Sequence, residues 1–503
     1  MEKVEWDDVQ AIVLYGYGKL PYSAYLLWRF NTEDSLAKKQ WLAALAERLT
    51  RATARDADED DEPNARPAAQ ERADGRKSSR PAINLALTVT GLQRLGVRSA
   101  LDGFSTEFLE GMAPLPSDET EGPRRSNVLG DLGQSSPRCW DWGGWQKERE
   151  IDGLLLLFAA DEPSLRALLQ YETQEMAGVA RPIPLDLRGH FNDDSKEHFG
   201  FRDGISQPLI EGAPRRKKLP DQEQARISLV KPGEFLLGYL NERKERVGER
   251  RDTNGNGPKT KRDLRLNGTY LVFRQLEQDV AAFDAFVSDL ADGLCKTKDW
   301  VGARLMGREP NGRSLIQDGI DAPGSDVRND FLYHYEDRFG LTCPIGAHVR
   351  RANPRDSRGP DPDTALRLSK MHRIIRRGRP YGKRWEPSER AENTEESRGL
   401  VFIALNADIA GQFEMIQHTW LNNPQFNGLY TGRDPISHLE DESLITIQRR
   451  PMNLQIQRPA SFVKVRGGAY FFLPGIQALR DIATSPSNEP DRAASNQLSG
   501  MMT

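Results

Sequence analysis

Seven histidines occur in the 503-residue sequence, few enough for each to be considered as a candidate metal ligand. His348 differs from the others because it lies in the segment CPIGAHVRRANPRD, where two small residues precede it and three arginines, beginning with Arg350, follow it. Small neighbours let a flat ligand approach closely, and a haem needs an axial nitrogen and cations for its propionates. A structural histidine beside arginines is also common, so this segment alone leaves both interpretations open.

One acidic residue, Asp203, stands on a turn bounded by glycines in the segment HFGFRDGISQPLI. A carboxylate held on a turn can accept a proton and return it, which is general acid–base chemistry. Aspartate is also a usual turn residue beside glycine, so an ordinary turn explains the same pattern.

Three arginines, Arg376, Arg377 and Arg379, surround Gly378 in the segment HRIIRRGRPYG. A guanidinium held close to a reacting group can stabilise the negative charge that develops in a transition state. A solvated basic loop accounts for the same residues, and the segment by itself does not decide between the two.

The elements that must position these residues follow an α+β pattern in the first half of the chain. Apolar runs predict strands at residues 11–15, 83–89 and 154–158, and apolar residues at helical spacing predict a helix through residues 41–49. Asp161 is placed to cap a further helix, because a proline follows it in the first helical turn.

The same order of elements returns after Pro232. The predicted elements, in chain order, are a strand at 270–273, a helix at 283–294, a strand at 400–405, a helix at 413–420, and strands at 462–465 and 470–473. A turn at Gly467 and Gly468 is predicted between the last two strands. The two halves therefore share one α+β plan.

The composition excludes several classes of function. Lysine and arginine number 70 against 74 aspartates and glutamates, so the net charge is −4 and no global basic field attracts nucleic acid. No apolar run reaches membrane-spanning length and the acidic start lacks the features of a secretory signal, so we expect no membrane partner and a cytoplasmic location. The three widely spaced cysteines encode neither a disulfide framework nor a zinc site.

Two domains are predicted from the length and the repeated plan: residues 1–230, which carry Asp203, and residues 231–483. Residues 51–80 have almost no large apolar side chains, and we predict that they form a disordered insertion. Residues 484–503 are polar and are predicted to be a loose tail. The role of the charged stretch 242–261 is not predicted.

Taken together, the three segments resemble the dye-decolourising peroxidase family, because all three of its signatures occur in the family's order. GFRDG matches the family's GxxDG motif, GAHVRRANPR resembles the segment with its proximal histidine, and IIRRGRPYG resembles the segment with its distal arginine. The resemblance implies two ferredoxin-like α+β domains in a dimeric α/β-barrel type of architecture. It also implies that haem b, iron protoporphyrin IX, is held mainly by the C-terminal domain.

The resemblance implies a role for each matched residue. His348 is expected to be the axial ligand of the haem iron, with Asp203 as the distal acid–base and Arg376 as the distal cation. Arg376 is preferred over Arg377 because of its offset from the Pro-Tyr-Gly that follows.

Two further roles follow from the family. A carboxylate is expected to accept a hydrogen bond from the proximal imidazole, and Asp434 in GRDPI is our choice, with Asp408 in LNADIA as the alternative. Arg350 is expected to bind a haem propionate.

The function that the resemblance implies is oxidation of dyes, phenols and other bulky aromatic reductants by hydrogen peroxide, in one-electron steps. Bulky substrates would need a Tyr or Trp near the surface as an electron relay, and the sequence does not identify it. A non-enzymatic haem-binding or haem-delivery protein is the main alternative, because it would use the same ligand and arginines. A homo-oligomer is compatible with the family.

Overall fold

The computed structural model describes residues 3–53, 80–97, 101–115, 124–145, 150–191, 194–214, 222–247, 263–316, 329, 331–385, 397–438, 443–458 and 461–485. Most of the predicted insertion (residues 54–79) and most of the charged stretch (residues 248–261) lie outside these residues. The predicted tail also lies outside them beyond residue 485.

Strands of both halves form the centre of the molecule. The described strands are β1 (Tyr22–Phe30), β2 (Ala82–Leu87), β3 (Gly153–Ala159), β4 (Ala180–Pro182), β5 (Arg188–His190), β6 (Leu209–Ile210), β7 (Leu229–Val230), β8 (Thr269–Gln278), β9 (Ile375–Arg376), β10 (Arg379–Tyr381), β11 (Gly399–Asn406), β12 (Ser443–Ile447), β13 (Leu454–Arg458) and β14 (Val463–Leu473).

Helices connect these strands. The described α-helices are α1 (Ser35–Arg48), α2 (Val89–Arg94), α3 (Thr106–Glu110), α4 (Arg124–Leu129), α5 (Glu162–Glu175), α6 (Gln222–Ser228), α7 (Val280–Leu294), α8 (Lys298–Met306), α9 (His348–Ala352), α10 (Pro362–Lys370) and α11 (Ile476–Thr484). Two consecutive π-helical segments, Ala410–Glu414 and Ile416–Leu421, replace an α-helix after β11. None of the helices in the described part of the chain combines the length and apolar character needed to cross a membrane.

The main sheet closes on itself. Within the first half the strand order is β5-β1-β3-β2, and within the second half it is β14-β8-β11-β10. The halves join where β2 pairs with β14 and again where β5 pairs with β10. Each half thus has the strand order of a ferredoxin-like unit, and the predicted α+β fold class is confirmed, with both units sharing one continuous sheet.

Side chains of the closed sheet alternate between two cores, as the pleat of a strand requires. On β3, Leu154 and Leu156 belong to the core inside the sheet, and Leu155 and Leu157 belong to the core beneath the outer helices. Because both faces of these strands are buried, they appear in the sequence as continuous apolar runs.

The strand predicted at residues 11–15 is wrong. Residues Ala11–Val13 form a short 3-10 helix whose side chains are fully buried in the core inside the closed sheet. The first strand is instead β1, which begins at Tyr22. The apolar run correctly indicates buried side chains. They are buried because the segment fills the interior of the closed sheet, and the segment does not pair as one of its strands.

The turn predicted at Gly467 and Gly468 is also wrong, because β14 runs through both glycines with an irregularity in pairing between Val465 and Gly467. A β-carbon at Gly467 would overlap the indole of Trp142, which is fully buried. The glycine therefore serves close packing of an aromatic ring and a bulge in the strand, and not a chain reversal.

The helix predicted at 413–420 is present but π-helical, and the remaining predicted elements are confirmed with small changes in their bounds. The strands at 83–89, 154–158, 270–273 and 400–405 are β2, β3, β8 and β11, and the helices at 41–49 and 283–294 are α1 and α7. Asp161 caps α5, because its carboxylate accepts a hydrogen bond from the Ser164 N–H.

Candidate active site

His348 is the first residue of α9, and the loop before it is held by a buried aspartate. The carboxylate of Asp337 accepts hydrogen bonds from the backbone N–H of Thr342 (3.1 Å) and of Cys343 (2.8 Å). Cys343 and Ala347 pack in a small buried cluster with Phe331 and Tyr333. The imidazole therefore projects from an anchored loop and helix start, and about 29% of its side chain remains exposed.

The Nδ1 atom of His348 is bound to the carboxylate of Asp434, at 3.0 Å from Oδ2 and 3.1 Å from Oδ1. Asp434 is fully buried and also accepts hydrogen bonds from the N–H of Ile436 and from the N–H and Oγ–H of Ser437. Burial alone would raise the pKa of Asp434, but His348 and these donors hold it well below its usual range. Burial would lower the pKa of His348, and the Asp434 carboxylate raises it.

Arg351 ties the Asp434 loop to α9. It lies three residues after His348, and residues three apart share one face of a helix. Its buried guanidinium donates to the carbonyls of Trp420 (2.7 Å), Asn423 (3.0 Å) and Gly432. The helix that presents the imidazole therefore also holds the backbone that presents its carboxylate partner.

Asp434, and not the alternative Asp408, is the carboxylate on the imidazole. Asp408 accepts a hydrogen bond from the Gly411 N–H (2.9 Å), and its side chain is about one-third exposed.

We predict that Asp434→Ala lowers the free energy of unfolding by about 3–5 kcal/mol, because it leaves buried donors without their charged partner. Asp408→Ala should cost about 1 kcal/mol, as the loss of one partly exposed hydrogen bond does. Urea denaturation of the cofactor-free proteins measures both, and equal losses would contradict the assignment.

The propionate role predicted for Arg350 is wrong. Arg350 is fully buried, and its guanidinium donates to the Asp337 carboxylate (3.0 Å), the Cys343 carbonyl (2.7 Å) and the Asp337 carbonyl (2.9 Å). Residues two apart on an α-helix are rotated by about 200°, so Arg350 points away from the face that carries His348. Its function is to anchor the loop before α9.

Asp203 lies at the end of a compact loop, with one glycine of positive φ inside the loop and another directly after Asp203. Gly200 (φ 92°) and Gly204 (φ 77°) both adopt conformations that favour glycine. Inside the loop the Glu197 carboxylate accepts hydrogen bonds from the N–H groups of Phe199 (2.9 Å) and Phe201 (3.0 Å). The Asp203 N–H bonds to the Ser195 carbonyl (3.2 Å), which closes the loop and fixes the aspartate backbone.

Arg376 pairs with Asp203, since the guanidinium Nη1 lies 2.5 Å from the Asp203 Oδ1. About a fifth of the Asp203 side chain and a third of the Arg376 side chain are exposed. Burial alone would raise the pKa of Asp203, but Arg376, the Gly204 N–H and the charge of His348 together lower it. The aspartate is therefore ionised and can accept a proton.

Arg377 directly follows β9 and points the other way, as the next residue of an extended chain does. Its guanidinium donates to the carbonyls of Ile12 (2.8 Å) and Val13 (3.1 Å) in the segment that fills the sheet interior. Arg379 donates to the carbonyls of Leu20 (2.5 Å) and Tyr17 (3.0 Å). The two arginines hold the N-terminal segment, and Arg376 is the one that reaches Asp203.

The Asp203–Arg376 pair interacts electrostatically with the His348–Asp434 pair. The Arg376 guanidinium lowers the pKa of His348 and the Asp203 carboxylate raises it, so both charges act on the imidazole. The His348 Nε2 atom has no hydrogen-bond partner among the described residues, so its lone pair is available to a metal. The structure thus brings together three of the predicted residues, His348, Asp203 and Arg376, with Asp434 behind the imidazole.

Arg373 adds a cation that the sequence did not single out. Burial, Arg355 and Arg376 lower its pKa to about 9, so three guanidiniums lie near one another. Within the described residues no carboxylate pairs with Arg373. A partly buried cation in this position favours an anionic ligand, such as a propionate. Its place in HRIIRRGRPYG, three residues before Arg376, was the only signal in the sequence.

The chain is similar in sequence to several curated peroxidases. The protein named Peroxidase 2 from Mycetinis scorodonius is 31% identical over 431 residues, which cover 80% of this chain and 76% of that protein. A dye-decolorizing peroxidase from Exidia glandulosa is 31% identical over 425 residues, which cover 79% of this chain and 75% of that protein.

Solved structures show the same similarity. An ancestral D-type dye-decolorizing peroxidase superimposes with a TM-score of 0.73 at 26% identity, covering 96% of this chain and 100% of that one. A DyP-type peroxidase from Anabaena sp. has the same TM-score at 24% identity, covering 95% of this chain and 94% of that one, and shares the fold. No protein-family model matches the chain.

Proposed function

The chain belongs to the dye-decolorizing peroxidases, haem-dependent oxidoreductases that act on hydrogen peroxide, and from that premise we infer which of its residues carry the reaction. It is a haem peroxidase that oxidises dyes. We propose that Asp203 and Arg376 act on hydrogen peroxide while His348 ligates the iron. The observation that supports these roles is the Asp203–Arg376 ion pair close to an imidazole whose Nε2 is available.

The residues present fit a haem. His348 Nε2 can serve as the axial ligand, and the hydrogen bond from Nδ1–H to Asp434 fixes the tautomer and makes the ligand more basic. Arg373 supplies a partly buried cation for a propionate. A bound haem would supply the two electrons that reduce hydrogen peroxide to water and would recover them one at a time from the reducing substrate.

Asp203 moves the proton in this scheme. Its ionised carboxylate can accept a proton from one oxygen of hydrogen peroxide and return it to the other oxygen, which leaves as water. Because Arg376 holds the pKa of Asp203 below its ordinary value, the base stays ionised in acidic solution. The enzyme should therefore work under acidic conditions.

Arg376 orients the peroxide and stabilises charge. Its Nη1 is bound to Asp203, and a guanidinium has further donors that can reach the leaving oxygen as negative charge develops there. The groups are preorganised by the loop after β5 and by β9, so little rearrangement is needed during the reaction. Small and bulky aromatic reductants are the proposed electron donors, consistent with the names of the relatives.

The proposed function is tested by mixing the haem-loaded protein with hydrogen peroxide and a soluble aromatic dye, and following the loss of colour. Free haem at the same concentration, haem-free protein, and the mixture without peroxide are the controls. We expect rapid loss of colour only in the complete mixture. Decolorisation no faster than with free haem would contradict the function and would leave haem binding without catalysis, an alternative that the comparisons do not support.

A further inference from the structure

The side chain of Gln207 is bound to the backbone of Arg376 through both atoms of its carboxamide. Its Oε1 accepts a hydrogen bond from the Arg376 N–H (3.0 Å), and its Nε2 donates to the Arg376 carbonyl (3.0 Å). The two residues are 169 positions apart in the sequence. This contact joins the segment that carries Asp203 to the strand that carries Arg376.

The contact completes the open edge of a very short strand. β9 contains two residues and pairs with β11 on one side only, with Arg376 opposite Ala404. The backbone N–H and carbonyl of Arg376 face the other side, where no strand of the described chain follows. A carboxamide carries the same donor and acceptor as a peptide group, so Gln207 takes the place of the missing neighbour.

Gln207 itself is held in place at several points of its own segment. Two residues before it, the Ile205 carbonyl accepts a hydrogen bond from the Asn329 Nδ2 (3.0 Å). Two residues after it, Leu209 begins β6, which pairs with β7 at Leu229. Because the segment is anchored on both sides, the carboxamide is a fixed point against which β9 can be positioned.

We propose, on the basis of the function proposed above, that Gln207 is a positioning residue that sets the register of Arg376 against Asp203. Asp203 and Gln207 belong to one segment, and Arg376 is attached to it twice, through its side chain to Asp203 and through its backbone to Gln207. One attachment would let a long arginine side chain rotate about the ion pair. Two attachments fix both the position and the direction of the guanidinium, which a preorganised electrostatic site requires.

The test replaces Gln207 with methionine, which keeps the length of the side chain and removes both hydrogen bonds. Gln10→Met is the matched control, because Gln10 makes the same two-point contact with the backbone of Leu85 (2.8 and 2.9 Å), away from Asp203 and Arg376 in sequence and contacts. Gln207→Glu is a second variant, since it retains the acceptor for the Arg376 N–H and loses the donor. All are compared with wild type after loading with haem.

We expect Gln207→Met to lower the rate constant for hydrogen peroxide roughly 10- to 100-fold, as small misplacements of reacting groups do, with KM for the dye unchanged. The acidic limb of the pH profile should move to higher pH, because Asp203 loses part of the cation that lowers its pKa. In the haem-free protein, the Arg376 amide should exchange its hydrogen faster, while the Arg377 amide, bound to the Ile403 carbonyl (2.9 Å), should not. Gln207→Glu should change in the same direction by a smaller factor.

Gln10→Met should lower thermal stability and leave the peroxide rate constant and the pH profile as in wild type. The inference is overturned if both Gln207 variants keep the wild-type rate constant and pH profile, or if Gln10→Met reproduces their changes. A wild-type protein that binds haem and does not react with peroxide would instead overturn the proposed function, so the two failures are distinguishable.

Discussion

Replacing Asp203 with asparagine should lower the rate constant for the reaction with hydrogen peroxide by roughly 10²- to 10⁴-fold, the range typical for loss of a general acid–base. Asparagine preserves the shape of the side chain and can still contact Arg376, but a neutral carboxamide cannot accept the peroxide proton. Stopped-flow measurement of the peroxide-induced change in the haem spectrum gives the rate constant directly.

The matched control for this substitution is Asp194→Asn. Asp194 also pairs with an arginine, Arg384, at 2.9 Å, but its side chain is more than one-third exposed and it has no contact with Arg376 among the described residues. The same change of charge there should leave the rate constant within a few-fold of wild type. If Asp203→Asn reacts at the wild-type rate, Asp203 is not the base.

Replacing Arg376 with leucine should lower the same rate constant by roughly 10²- to 10³-fold, because a preorganised donor to the developing charge is lost. The acidic limb of the pH profile should also move. In the wild type Arg376 lowers the pKa of Asp203, so the ionised base persists as the pH falls. Without that cation the pKa rises, and the activity should be lost at a higher pH than in the wild type.

Arg377→Leu separates this role from the general loss of an arginine. Arg377 donates to the carbonyls of Ile12 and Val13, so its removal should lower thermal stability. Its effect on the peroxide rate constant should be small, and the pH profile should not shift. The reverse pattern, with a large kinetic effect for Arg377 and a small one for Arg376, would contradict the assignment of the distal cation.

The residues of the candidate site could be predicted from the sequence where each of them lies in a short, recognisable motif. His348, Asp203 and Arg376 each lie in a local motif; in the structure Asp203 pairs with Arg376, and the charges of both act on His348. Arg350 was assigned wrongly because a motif gives neighbours in sequence and ignores the rotation of the helix. Residues two apart on α9 face opposite sides, so Arg350 points away from the face that carries His348. Arg351 shares that face and holds the loop that carries Asp434.

Gln207 shows what the sequence could not reveal. Its function depends on a contact with Arg376, 169 residues away, and no local pattern distinguishes it from any other glutamine near a proline. A related limit applies to Asp434 and Asp408, because the resemblance of GRDPI favoured Asp434 but no local pattern excluded Asp408. Only the folded chain shows that the Asp434 carboxylate reaches the imidazole.

The fold was predictable where burial and strand pairing coincide. β2, β3, β8 and β11 are apolar runs that lie in the sheet, and each was predicted. The run at Ala11–Val13 is as apolar as a strand, but it fills the interior of the closed sheet as a 3-10 helix. Closure of the sheet depends on pairing between strands that are distant in sequence. A local apolar pattern therefore cannot distinguish a strand of the closed sheet from a segment that fills the interior of that sheet.

The central claim, that His348 holds a haem for a peroxide reaction, is tested most directly by titrating haem into wild type and His348→Ala and recording visible spectra before and after peroxide. The account predicts stoichiometric uptake by the wild type, a spectrum of histidine-ligated ferric iron, and a rapid spectral change with peroxide. In His348→Ala the uptake or the ligand spectrum should be lost. A wild type that takes up no stoichiometric haem, or a variant whose spectrum and peroxide response match the wild type, would contradict the account.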